Sequence, residues 1–455
     1  MKYIIFGVFA LFAIPATAVL SALSVRMRGV FLAALILSTV LGDLANINFL
    51  SMEFYRGPDR GFEVNLADLL TAGLVLGLVV GDAARVKWLP YNSLPFVAFL
   101  TVGLVSALIS PTPMYGAFTI FKLAKVYVVF WCVANCLRTG TSKRYVWWGF
   151  VGIAGVITVL ALHQKYVLGL YRVHASFDHS NTIPPYANMI LPVLLIWGLV
   201  DRELSRVGAL VSGVAVLGLL FSVVATFSRA GMALAALGGL SAVIIALRKA
   251  PVERSIFAFA AAALALTAGA TVAADSLVER FTNAPESSQE ARDEFNQAAL
   301  AMAGDHPLGV GLNNYSAVLT RTERYNRHIE VMEEEETYGV AHHIYWLTAA
   351  ETGYLGLVLF GWFIFRITWH AGRHGLVSRA PEGALAGGLF LGLCALHLSG
   401  LLEWTFRTTP VMYLFAVSCG CVVAFVEREK AVRRESRRPC SSPAGTLQRA
   451  VAGVS

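Results

Sequence analysis

The sequence predicts an all-α fold, a polytopic membrane helix bundle of about 12–13 transmembrane helices with one large helical loop on the outer side. Three observations carry that expectation. The 455 residues are 56% hydrophobic and only 14% charged, whereas soluble domains carry roughly a quarter of their residues as charged. Apolar runs long enough to cross ~30 Å of hydrocarbon recur along most of the chain, and its mean hydropathy is +0.63. The charged residues gather in the short stretches between those runs. The formal charge of +7 does not point to nucleic acid, because the basic residues form no single patch or stripe.

Candidate spans lie near 3–24, 29–50, 66–81, 94–110, 116–137, 146–163, 182–200, 207–226, 230–247, 255–274, 344–365, 383–401 and 409–426. The loops between them alternate in charge. Arg26/Arg28, Arg85/Lys87, Arg138/Lys143/Arg144, Arg202/Arg206, Arg248/Lys249/Arg254, Arg366/Arg373/Arg379 and the tail from Arg428 to Arg438 fall on one side, which the positive-inside rule makes cytoplasmic. The outer side receives 51–65, 111–115, 164–181, 227–229, 275–341 and 403–408. Ala16-Thr17-Ala18 resembles a signal-peptidase site, but cleavage there would put Arg26 and Arg28 outside, so a retained helix is expected.

These features divide the chain into an amino-terminal part of the bundle (1–274), a loop region (275–341), carboxy-terminal helices (342–426) and a basic cytoplasmic tail (427–455), expected to be disordered and to sit against anionic lipid. The six cysteines, Cys132, Cys136, Cys394, Cys419, Cys421 and Cys440, lie in spans or in the tail. Neither a disulfide framework nor a zinc site is indicated.

The loop region holds 13 of the 29 acids and five arginines. Ser287 with Glu290 offers a capping box. Ala291, Phe295, Ala298 and Met302 follow at helical spacing, and Gly304 supplies a stop. Arg292 falls at the margin of that apolar stripe, able to look inward. In His306-Pro307-Leu308-Gly309-Val310-Gly311 the glycines allow tight turns and close backbone approach. A phosphate loop there would lack its strand and helix setting, so a turn re-entering a helix is the expectation. Glu333 to Glu336 read as a solvated face, with Glu334 an alternative base.

Charges near the outer ends of spans are the candidate site. Lys122 and Lys125 share one face of the fifth span, where burial without anionic partners would cost several kcal/mol. They either snorkel to the interface or form a cationic pocket for phosphate. Arg229 sits in a very short outer turn, and arginine suits phosphate because its planar fork binds oxygens bidentately. Arg172 and Asn181 lie in another outer loop. His174, Asp178 and His179 in the same loop are only weakly suggestive of a metal. His342 and His343 stand where polar sequence ends and a span resumes, and an imidazole there can take a proton near neutral pH. His397 and Glu403, near the last outer turn, read as packing and hydrogen-bonding residues.

In order, the Arg172 to Asn181 loop leading to Pro192, Ser228-Arg229-Ala230-Gly231, Arg292 with His306 to Gly311, and His342 nine residues before Glu351-Thr352-Gly353 resemble the O-antigen ligase and polymerase superfamily over about residues 165–410. The family's usual His-Asn stands here as His342-His343, so the family histidine maps onto His342. The resemblance implies a metal-independent glycosyltransferase without a cofactor, in the bacterial inner membrane. It would move a polysaccharide from undecaprenyl pyrophosphate to a lipid A-core sugar hydroxyl at the periplasmic face. Arg229 and Arg292 would stabilise the pyrophosphate and His342 would act as base. Lys122, Lys125, Arg172, Asn181 and His343 would contact substrate. An O-antigen or exopolysaccharide polymerase, or an O-linked protein oligosaccharyltransferase, would use the same chemistry. A solute transporter would instead predict charges near the bilayer midplane.

Overall fold

The computed structural model describes residues 2–41, 46–52, 54–249, 287–327, 329, 339–378 and 380–436. Its helices are α1 (Lys2–Leu23), α2 (Val25–Ser38), α3 (Leu66–Asp82), α4 (Ser93–Leu108), α5 (Pro113–Arg138), α6 (Arg144–Leu162), α7 (Ile183–Val200), α8 (Arg206–Val224), α9 (Arg229–Leu247), α10 (Ser287–Asp305), α11 (Tyr315–Arg321), α12 (Ile344–Gly375), α13 (Pro381–Ser399) and α14 (Thr409–Ser436). Among the described residues, ten helices are long and apolar enough to cross a membrane. The fold is an all-α polytopic bundle, as expected. The expected span at 255–274, the acidic run Glu333 to Glu336 and the tail beyond 436 lie outside the described residues.

One expected span is corrected. The apolar run over 29–50 is not one helix: α2 ends at Ser38, a 3-10 turn covers Thr39–Leu41, and Asn46–Phe49 forms a strand, β1. It pairs antiparallel with β2 (Phe62–Asn65), with Asn46 opposite Asn65 and Phe49 opposite Phe62. Asparagines at alternate positions 46 and 48 are poor helix formers, and pairing with β2 satisfies the backbone that a broken helix would leave open. Asn65 then caps α3 in a reciprocal box with Asp68.

Helices α7 and α14 are almost wholly buried and form the centre of the bundle, while α1 lies at its edge. Without a hydrophobic drive between helices in lipid, close backbone approach matters. A methyl group on Gly392 of α13 would meet the Met189 carbonyl oxygen of α7 at 2.2 Å.

Contacts between loops sort the chain into two ends. At one end Arg28 pairs with Asp82 at 2.6 Å, Glu427 with Lys87 and Arg138, and Lys143 with Asp201 and Glu382. At the other, the 46–65 hairpin meets the start of α5 and the segment after α10, and the loop before α7 meets the turn before α9. The loops that sequence charge assigns to one side touch one another.

Helix α12 is broken. Gly353 has φ 70° and ψ −178°, a conformation open essentially only to glycine. The His306 to Gly311 segment fills the break: Val310 N donates to Ala350 O at 2.8 Å, Gly311 N to Glu351 O at 3.0 Å, and Tyr354 N to Pro307 O at 3.2 Å. Two motifs far apart in sequence are thus one structural unit. The glycine-rich segment supplies the hydrogen bonds that the unwound turn lost, and any side chain at Gly353 would strike the Pro307 carbonyl.

Candidate active site

The end of the bundle opposite the Arg28–Asp82 pair carries a chain of polar contacts centred on Glu403, in the short turn between α13 and α14. Arg292 Nη2 donates to Glu403 Oε1 at 2.9 Å, and Asn181 Nδ2 donates to the same oxygen at 2.9 Å. His342 Nδ1 lies 3.3 Å from the other oxygen, Oε2. Arg172 Nη2 in turn donates to Asn181 Oδ1 at 2.6 Å, and its Nε to Thr226 O at 2.8 Å. Four predicted site residues, Arg172, Asn181, Arg292 and His342, therefore belong to one network.

Each is delivered by a different local device. Arg292 projects from α10, whose Phe295, Ala298 and Met302 are buried beneath it. The helix runs to Asp305, one residue past the expected stop at Gly304. His342 directly precedes the cap of α12. Asn181 sits in a 3-10 turn, Ser180–Thr182, ahead of α7.

Arg229 is the first residue of α9, which Ser228 caps by accepting from Gly231 N at 3.2 Å. Phe227 before it has φ +54°, uncommon for a bulky residue. Arg229 is exposed, with no hydrogen-bond or ion-pair partner among the described residues. Its first-turn position and the Arg172 bond to Thr226 place it beside the network without joining it.

The two adjacent histidines have different surroundings. His343 is the N-cap of α12: its Nδ1 accepts from Trp346 N at 3.3 Å and its ring stacks on Trp346. Burial holds its pKa below the usual histidine value, which suits an acceptor. His342 instead faces Glu403, with its side chain about a quarter exposed. For Glu403, burial pushes the carboxyl pKa up, but the hydrogen bond from His342 and the charges of Arg292, His342 and His179 outweigh it and hold the group below its ordinary range. His179 is itself pushed down by burial, partly offset by Glu403.

Lys122 and Lys125 belong to a separate network. Lys122 pairs with Asp59 and donates to Arg407 O, and Lys125 pairs with Asp68 at 2.8 Å. Arg407 pairs with Glu351, two residues before the break in α12. His174 Nδ1 donates to Phe177 O, 2.7 Å away, and among the described residues no group of three or more His, Cys, Asp or Glu gathers as metal ligands would. His397 is buried in α13 against Thr368 Oγ1 at 2.7 Å, the packing role expected of it.

Glu403 is the residue that sequence reading undervalued. It makes the hydrogen bonds expected of it, but to three candidate site residues at once. The available signal was its position as the sole acid in a very short outer turn, where a side chain has little freedom to leave.

Residues 213–361 match the family model described as O-antigen ligase. The match holds Arg229, Arg292, His342 and the Gly353 break, and is narrower than the 165–410 resemblance. No curated protein matches the chain.

Proposed function

We propose that this chain, whose residues 213–361 match the O-antigen ligase family model, transfers a polysaccharide from undecaprenyl pyrophosphate to a lipid A-core sugar hydroxyl, at the periplasmic face of the bacterial inner membrane. The observation that carries this reading is the division of Glu403 between a histidine and an arginine. With Nδ1–H donated to Glu403 Oε2, the His342 Nε2 is left to accept a proton. A carboxylate that fixes the tautomer and stabilises the imidazolium is the general arrangement for an imidazole base.

In the reaction, Nε2 takes the acceptor hydroxyl proton as the oxygen forms its bond to the anomeric carbon. The bond from that carbon to the pyrophosphate oxygen breaks, and its electron pair leaves with the pyrophosphate. Fixed positive charge where negative charge develops lowers that barrier. Arg229, exposed and without a partner among the described residues, and the remaining donors of Arg292 supply it, with Arg172 and Asn181 holding the frame. Lys122 and Lys125 already face Asp59 and Asp68, which weighs against a direct role on phosphate. His343 acts as a cap supporting its neighbour.

Purified protein, a lipid-linked glycan and lipid A-core test the reading. A base in position contributes ~10²–10⁴-fold, so His342→Ala should lose transfer by that factor while still binding the lipid-linked donor; wild-type transfer by that variant would remove His342 from the mechanism. Deletion of the gene separates ligase from polymerase on a lipopolysaccharide gel. Loss of long chains from the core with intact lipid-linked polymer selects the ligase, and accumulation of single repeats selects the polymerase.

A further inference from the structure

The Arg172 loop and the turn before Arg229 meet a second time through aromatic rings. Tyr171 stacks on Phe227 with centroids 4.9 Å apart and planes 8° from parallel. Lys165 Nζ lies 5.0 Å from the Phe227 ring centroid and 5.7 Å from that of Tyr171, and donates to Tyr171 O at 3.0 Å. Phe227 is buried, whereas Tyr171 is 60% exposed. One hidden ring therefore backs one open ring.

Both supports rest on unusual backbone. Phe227 is in the left-handed region, where strain on a bulky side chain clusters at functional sites. Lys165 lies in a π-helical turn, His163–Val167, that extends α6, and such turns also recur at functional sites. An aromatic anchor at a bilayer interface needs an exposed ring but no fixed orientation. Tyr171 has its orientation set from behind and from the side before any ligand arrives, which is what a preorganised binding surface requires.

We propose that the open face of Tyr171 is a stacking platform for the pyranose ring next to the pyrophosphate of the lipid-linked donor. This rests on the reading of Arg229 and Arg172 given above. Tyr171 is bonded in the chain to Arg172, and Phe227 is two residues from Arg229, so the platform is continuous with the groups assigned to the pyrophosphate. A pyranose offers a face of C–H groups to the electron-rich face of an aromatic ring. The platform makes the enzyme sensitive to the first sugar of the donor as well as to its lipid phosphate.

Binding in detergent, read without catalysis, tests the proposal with two probes: undecaprenyl pyrophosphate, and undecaprenyl pyrophosphate carrying one hexose. Tyr171→Ala should weaken the hexose-bearing probe about 3- to 10-fold and leave the bare lipid unchanged, and Tyr171→Phe, which keeps the stack, should recover most of the loss. Equal weakening of both probes, or no change in either, overturns the platform while the pyrophosphate reading stands. If the wild-type protein binds neither lipid, the pyrophosphate reading fails and the platform falls with it.

Discussion

Lys122, Asp59, Arg407 and Glu351 form one group of charges near the outer end of the bundle; Arg292, Glu403 and His342 form another from similar side chains. In the first, every member is about 5% exposed or less well reached still, and each cation has its own acid. In the second the side chains are 19 to 33% exposed, and one carboxylate serves an arginine, an amide and an imidazole. Charges taken fully out of water must be matched or they cost several kcal/mol each. A sealed, matched set can hold helices together but cannot offer a charge to a ligand. A wetter set with shared partners retains free donors and an imidazole face, and is where chemistry is possible.

The contrast is sharpest if each carboxylate is neutralised in turn. Glu351→Gln should leave Arg407 buried without its counter-ion and cost about 3–5 kcal/mol, read as lost thermal stability or lost folded protein in detergent. Glu403→Gln should leave the melting temperature nearly unchanged but slow transfer by about 10²-fold or more. The reverse pattern would exchange the roles of the two groups.

The broken helix that joins the groups gives the next largest effect. Gly353→Ala forces a Cβ to within 2.1 Å of the Pro307 carbonyl oxygen and onto backbone disfavoured by roughly 1–3 kcal/mol. It should lower stability and activity together, whereas Gly304→Ala, where a methyl group meets nothing within 4 Å, should do neither.

Arg229→Lys should slow transfer about tenfold through loss of the bidentate fork without changing thermal stability, because the side chain has no partner among the described residues to lose. A stability change as large as that of Glu351→Gln would move Arg229 into the structural group.

The smallest effect is in pH. His343 has a folded pKa below its unfolded value of about 6.5, so the unfolded chain binds the extra proton first. Stability should therefore be intact above that value and fall as pH drops below it. His343→Asn keeps a cap acceptor without a titrating ring, so its melting temperature should fall less steeply between pH 7 and 5. Identical slopes would show that acid sensitivity lies elsewhere, with His179 the next group to replace.

Much of this was legible before any fold was known. Spans could be read because lipid demands long apolar helices with every backbone group satisfied, and the order of Arg172, Arg229, Arg292 and His342 was enough to place the chain beside a family. Helix α10 announced itself through Phe295, Ala298 and Met302. The 29–50 run did not announce its strand, because hydropathy measures burial in lipid and is blind to hydrogen-bond partners 13 to 19 residues away.

Residue type, spacing and hydropathy determined by themselves that this protein is a helical membrane bundle, which ends of its spans carry charge, and which arginines and histidine are candidates for chemistry. Only the tertiary structure decided which charges were matched. Lys122 and Arg229 look alike in sequence, each a cation near the end of a span, yet one meets Asp59 and the other meets no partner among the described residues. It also decided that Glu403 would gather Asn181, Arg292 and His342, that His343 would cap a helix, and that a glycine-rich segment would close the break at Gly353. The physical reason is range: hydropathy and helical period act between near neighbours in the chain, whereas the energy of a charge depends on whatever partner the fold brings within hydrogen-bond reach, here 61 residues away for His342 and 111 for Arg292.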